Sequence, residues 1–237
     1  RARADEPPLA TLAGVMDTDH LWPEPLRRMP DGTVKQINPY SGTSVWTVPG
    51  RGNRPIASGL PAPGPIDPAM AGRHCAFCEG RYFDTPPEKS RLVADPDGWH
   101  LLRGLTANRI EDSVAQFRRI PNLFEIVAYD YWRLNYGFEP GSEARERHDH
   151  YLSTDLGRKH VDQMIRTRAM AGGMSEAQWA ALTPQDKAQR AMSFFAGTHD
   201  VIVARRHFVD GASTTDQLAA SGSLTPDEHA AYLRFTV

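Results

Sequence analysis

Cysteine is scarce, with two residues in 237. One pair cannot supply a disulfide framework for a chain of this size, and the two residues between Cys75 and Cys78 suit a metal or a redox pair better. Long apolar runs are missing as well. None approaches the roughly 20 residues of a membrane-spanning helix, and residues 1–8 lack the apolar centre of a signal peptide. No membrane is therefore expected as a partner, and the cytoplasm is the expected compartment. Charge of one sign is also absent: 27 Lys and Arg stand against 29 Asp and Glu, a net of -2. Without a basic field to displace counterions from a phosphate backbone, nucleic acid is excluded as an expected partner. No internal repeat occurs. With 40% hydrophobic and 24% charged residues, the chain has the makings of one large globular domain or two small ones.

Local signals divide the chain. Residues 1–30 mix apolar, acidic and proline positions without sustained periodicity and read as an extended arm with room for one short helix. Asn38-Pro39-Tyr40-Ser41-Gly42 is a turn signal, and the β-branched and aromatic residues 43–48 after it predict a strand. Four prolines and two glycines in 59–68 predict a loop that delivers the chain to Cys75. Residues 117–120, 124–129 and 200–204 read as strands, the first two broken by Pro121-Asn122. Val161, Met164, Ile165 and Ala169 share one helical face within 154–171, with Ser153 or Thr154 as the cap and Gly172-Gly173 as the stop. Thr183-Pro184 opens a helix ending near Gly197, and Thr225-Pro226-Asp227-Glu228 is a capping box that opens another through Tyr232 and Phe235.

Cys75 and Cys78 can both reach one tetrahedral zinc, at about 2.3 Å each, if two further ligands come from histidine or carboxylate. His199 and His207 flank a predicted strand and are candidates. A pair of buried thiols or a redox Cys-x-x-Cys remains open on spacing alone. Arg51 and Arg54 lie close together after a strand, beside Gly52; guanidinium forks suit phosphate oxygens, while solvated loop arginines are the plain alternative. His148-Asp149-His150 falls in a charged stretch and reads as a solvated helix start or loop, and Asp130, Tyr131 and Trp132 as surface and packing residues.

The Asn38–Gly42 turn and following strand, Arg51 to Pro55, Cys75 to Cys78, Arg119-Ile120-Pro121-Asn122-Leu123-Phe124 and Asp200 to His207 occur in a telling order. Together they resemble the galactose-1-phosphate uridylyltransferase-like branch of the histidine-triad superfamily. With Thr85-Pro86-Pro87-Glu88-Lys89 after the knuckle, they are similar in particular to a largely bacterial branch of that group known as a domain of unknown function. The resemblance spans 31–237 and implies an α+β fold: an antiparallel sheet with flanking helices and a helical insertion over about 139–195.

That resemblance also implies roles. Arg51 and Arg54 would hold nucleotide phosphates, Asn122 and Phe124 would line the nucleoside pocket, and Cys75, Cys78 and His207 would bind zinc. A buried structural role for His199 weighs at least as much as a catalytic one. The implied activity is a zinc-containing nucleotidyltransferase or phosphorylase acting on a nucleotide or nucleotide-sugar substrate through a nucleotidyl-histidine intermediate. A homodimer is the family expectation. In such relatives the nucleophile and the fourth zinc ligand belong to a histidine motif after the helix that opens at Thr225. No such motif follows that helix here, so it is expected beyond Val237, and the chain as given is not expected to turn over. Leu123 stands where uridylyltransferases carry an acidic residue, leaving base and sugar open. The rival reading is a catalytically silent, zinc-stabilised binding or assembly module.

Overall fold

A computed structural model describes residues 25–49, 62–123, 125, 127–197 and 199–236. Arg51, Arg54, Phe124 and most of the predicted arm lie outside the described residues. The architecture is mixed α and β, with two antiparallel sheets and several helices, so the α+β expectation holds. The chain divides into two compact units that alternate along the sequence.

The first unit draws on Arg1–Pro55, Leu123–His148 and Ile165–His199. Its sheet has the order β1 (Leu26–Arg28), β2 (Val34–Ile37), β3 (Ser44–Thr47), all antiparallel. The arm thus ends in a strand. Asn38 makes the expected turn between β2 and β3, its side-chain oxygen accepting from the Tyr40 amide at 2.8 Å. Helix α1 (Tyr129–Tyr136) corrects the predicted strand at 124–129: the described residues 125, 127 and 128 form no strand, and Tyr129 opens a helix. Tyr129, Trp132 and Tyr136 recur at i, i+3 and i+7, a helical spacing that outweighs the β preference of single aromatics. Buried Tyr131 accepts a hydrogen bond from Trp46 Nε1 at 2.9 Å, which ties α1 to β3.

Helices α2 (Ser142–Leu152), α3 (Asp155–Ala171), α4 (Glu176–Ala180) and α5 (Pro184–Ala196) follow. His148-Asp149-His150 lies within α2, where half-buried His148 packs edge-on against Phe195. Val161, Met164, Ile165 and Ala169 of α3 are all buried, as their spacing predicts. Thr183 and Asp186 form a reciprocal capping box at the start of α5, with Pro184 in the first turn.

The second unit comprises Ile56–Asn122, Asp149–Met164 and Asp200–Val237. Its antiparallel sheet has the order β5-β4-β6-β7, from β4 (Ser90–Asp95), β5 (Gly98–Arg103), β6 (Phe117–Pro121) and β7 (Asp200–Ala204). Strands β6 and β7 fall where the sequence predicts them. The β4–β5 hairpin, turned at Pro96-Asp97 with Gly98 at φ +124°, is an addition. Helix α6 (Pro226–Thr236) packs Ala231 and Phe235 against Leu92 and Phe117 on one face of this sheet. Strand alternation sends Arg91 and Arg118 to the other face, where both are buried.

That second face is organised by charge. Glu88 receives a bidentate contact from Arg91, Nε at 2.5 Å and Nη2 at 3.1 Å, and a third bond from Arg118 Nε at 2.7 Å. The Tyr82 ring lies 4.8 Å from the Arg91 guanidinium and 4.4 Å from that of Arg118. Arg118 also donates to Thr85 Oγ1, and the Thr85 carbonyl accepts from His160 Nε2 at 2.8 Å. A carbonyl only accepts, so Nε2 carries the proton and Nδ1 accepts from the Tyr151 hydroxyl at 2.7 Å. Burial pulls the His160 pKa down to about 4 and pushes that of Tyr151 up, so both are neutral.

Candidate metal centre

The Cys75 and Cys78 thiols are brought to one point by a tight turn: the Cys78 amide donates to the Cys75 carbonyl at 3.0 Å, and the Cys75 amide approaches Cys78 Sγ at 3.4 Å. Two residues later Gly80 lets the chain double back, its amide bonding the Gly72 carbonyl at 2.8 Å. A Cβ on Gly80 would sit 2.9 Å from Arg73 Cγ and 3.1 Å from that carbonyl, so a side chain would push the knuckle apart.

His207 arrives from the far end of the sequence. Strand β7 pairs along β6 and carries the chain out at Ala204; three residues later the His207 carbonyl accepts from the Ala219 amide at 3.0 Å. Arg205 Nε meets Glu79 Oε2 at 2.6 Å, joining the end of β7 to the exit of the knuckle. Arg206 Nη2 meets Glu228 Oε1 at 2.7 Å, while the other Glu228 oxygen accepts from the Thr225 amide. One carboxylate therefore caps α6 and anchors the segment after β7 that presents the histidine.

Cys75 Sγ, Cys78 Sγ and His207 Nδ1 then form a triangle with edges of 3.8 Å between sulfurs and 3.4 Å from each sulfur to the nitrogen. A tetrahedral ion with bonds of about 2.3 Å to sulfur and about 2.05 Å to nitrogen requires edges of about 3.8 and about 3.6 Å. The three side chains fit such an ion, and they form a group that can hold a metal. Burial pushes the Cys78 thiol pKa up, reinforced by the neighbouring Cys75 side chain. His207 is pulled down by burial and by His74, which favours the neutral ring a metal ligand needs. Beside the triad opens a cleft of about 460 Å³, lined among others by His74, Glu79, Arg205 and Arg206.

A family model described as a domain of unknown function (DUF4921) matches residues 29–237. The chain belongs to the DUF4921 family. No curated protein and no solved structure gives a match.

Other sequence-derived site residues lie elsewhere in the DUF4921 chain. Asn122 directly follows β6, and Pro121 pairs with Asp200, so Asn122 is at the opposite end of the five-pair β6–β7 ladder from the metal triad. His199 departs from the buried role considered for it: its ring is 62% exposed, while its Nδ1 and amide both meet Oε1 of buried Glu125, at 2.5 and 3.0 Å. Sequence reasoning missed the Glu88, Arg91, Arg118 and His160 cluster. Nothing in the local pattern marks it, because Glu88 after Pro86-Pro87 and the two arginines all read as solvated residues. Among the described residues, no helix is long and apolar enough to cross a membrane.

Proposed function

We propose that this chain belongs to a zinc-containing nucleotidyltransferase or phosphorylase acting on a nucleoside diphosphate sugar or a related nucleotide. The observation that supports the reading is the triad of Cys75, Cys78 and His207, whose edges suit a tetrahedral ion and whose two-sulfur, one-nitrogen donor set favours zinc over hard cations. Held by Cys75, Cys78 and His207, zinc would supply a rigid tie between the knuckle and the segment after β7. The order of motifs resembling uridylyltransferases supplies the substrate class.

In this reading Arg51 and Arg54 neutralise the phosphates and so favour the charge that develops as the phosphoryl group transfers. Asn122 and Phe124 contact the nucleoside. A histidine nitrogen attacks phosphorus, the bond to the departing phosphate oxygen breaks, and an acceptor oxygen later displaces the histidine. That histidine is not assigned to a residue of this chain. A homodimer stays within the same proposal.

Calorimetric titration of the zinc-loaded chain with UDP, ADP and GDP sugars tests the reading without requiring turnover. Binding of at least one, weakened about tenfold or more by joint Arg51→Ala and Arg54→Ala substitution through loss of charge-assisted bonds, is the expected result. Zinc at one per chain with no nucleotide binding would refute the enzyme and leave the silent module.

A further inference from the structure

The first unit contains a second cleft, of about 380 Å³, formed where the C-terminal half of α3 meets α5. Its floor is apolar: Ile165, Ala169 and Phe194 line it and all three are buried. Two guanidinium groups, Arg168 and Arg190, line it as well. Arg168 is fixed rather than free, since its Nη1 donates to Ser193 Oγ at 2.6 Å and that buried hydroxyl in turn donates to the Arg190 carbonyl at 2.7 Å.

The charge in this cleft is unbalanced. The one carboxylate among its described lining residues, Asp130, is engaged by Arg133 at 3.7 Å, and Arg133 is also met by the Gln189 amide oxygen in the orientation its neighbours require. Arg190 interacts electrostatically with Asp186, one turn before it, and makes no side-chain hydrogen bond among the described residues. Two planar donors beside an apolar floor form the complement of an oxyanion carried on a hydrophobic body, and the volume falls at the small end of ligand sites.

We propose that this cleft binds a small organic anion, its phosphate or carboxylate head held by Arg168 and Arg190 and its apolar body resting on Ile165, Ala169 and Phe194. The proposal goes beyond the metal centre and uses none of its residues.

The test is calorimetric titration of the intact chain with phenyl phosphate, benzoate and inorganic phosphate. Either aromatic probe should bind, and more tightly than inorganic phosphate; which of the two prevails identifies the head group. Arg190→Gln should weaken that binding about tenfold or more, the loss of a charge-assisted bond, with an unchanged circular dichroism spectrum. Joint Arg51→Ala and Arg54→Ala substitution should leave it intact, which separates this cleft from a nucleotide site. The proposal is overturned if neither aromatic probe binds up to about 10 mM, a very weak affinity. It also fails if inorganic phosphate binds equally well, if Arg190→Gln has no effect, or if the double variant abolishes binding.

Discussion

Replacing Glu88 by Gln keeps the shape of the side chain and removes one charge from a site that holds three. The Glu88 side chain is 2% exposed, and those of its partners Arg91 and Arg118 are 0% and 4% exposed. The carboxylate accepts three charge-assisted bonds; the amide keeps one acceptor and turns an NH2 group toward guanidinium donors. Two buried cations then have no counter-ion, and Arg118 Nη1 already has no partner among the described residues. Breaking a buried pair in this way costs about 3–5 kcal/mol. Against a total stability of about 5–15 kcal/mol that is a large share. At about 2–4 °C per kcal/mol for a protein of this size, the melting temperature should fall by about 6–20 °C. Urea titration followed by circular dichroism provides the stability difference, and scanning calorimetry the melting shift. A companion variant, Glu88→Leu with Arg91→Met and Arg118→Met, removes every charge together and should be more stable than Glu88→Gln. A loss below about 1 kcal/mol for Glu88→Gln would refute the argument that the carboxylate neutralises a buried cationic pair.

Two further results are expected. Cys75→Ser should lower metal content from about one ion per chain and reduce melting temperature, because binding energy at such a site is folding energy; elemental analysis with and without chelator checks it, and full metal retention would sink the assignment. His160, held neutral with its pKa near 4, binds no proton in the folded state over a range where the unfolded chain does. Stability should therefore fall as pH drops from about 6.5 to about 4, by up to about 3 kcal/mol, and His160→Gln should flatten that slope; an unchanged slope counts against the buried neutral imidazole.

Much of the scaffold was legible because its signals are local. Thr183-Pro184, Thr225-Pro226 and the Val161-Met164-Ile165-Ala169 stripe each carry their own cap or period, and the helices appear where those signals lie. The metal triad was half legible: Cys75-Ala76-Phe77-Cys78 announces itself, whereas His207 could be singled out only by resemblance, since its approach depends on the long-range pairing of β6 with β7. Strand β4 escaped because its two faces are buried in different chemistry, Leu92 among hydrocarbons and Arg91 among charges. Its sequence also runs two polar residues, Ser90-Arg91, then three apolar ones, Leu92-Val93-Ala94, and so lacks the alternation by which a half-buried strand is recognised. Charged residues read as solvated by default, so a cluster that balances its own charge in the interior leaves little trace in composition.

The separation between the ligands sets a timetable. Cys75 precedes His207 by 132 residues. At about 5–20 residues per second, the ribosome releases the two thiols roughly 7–26 s before the imidazole that completes the triangle. During synthesis the nascent knuckle would thus wait as a two-sulfur pair open to soft metals and oxidants, and an ion held there would gain its third ligand only once β7 pairs with β6.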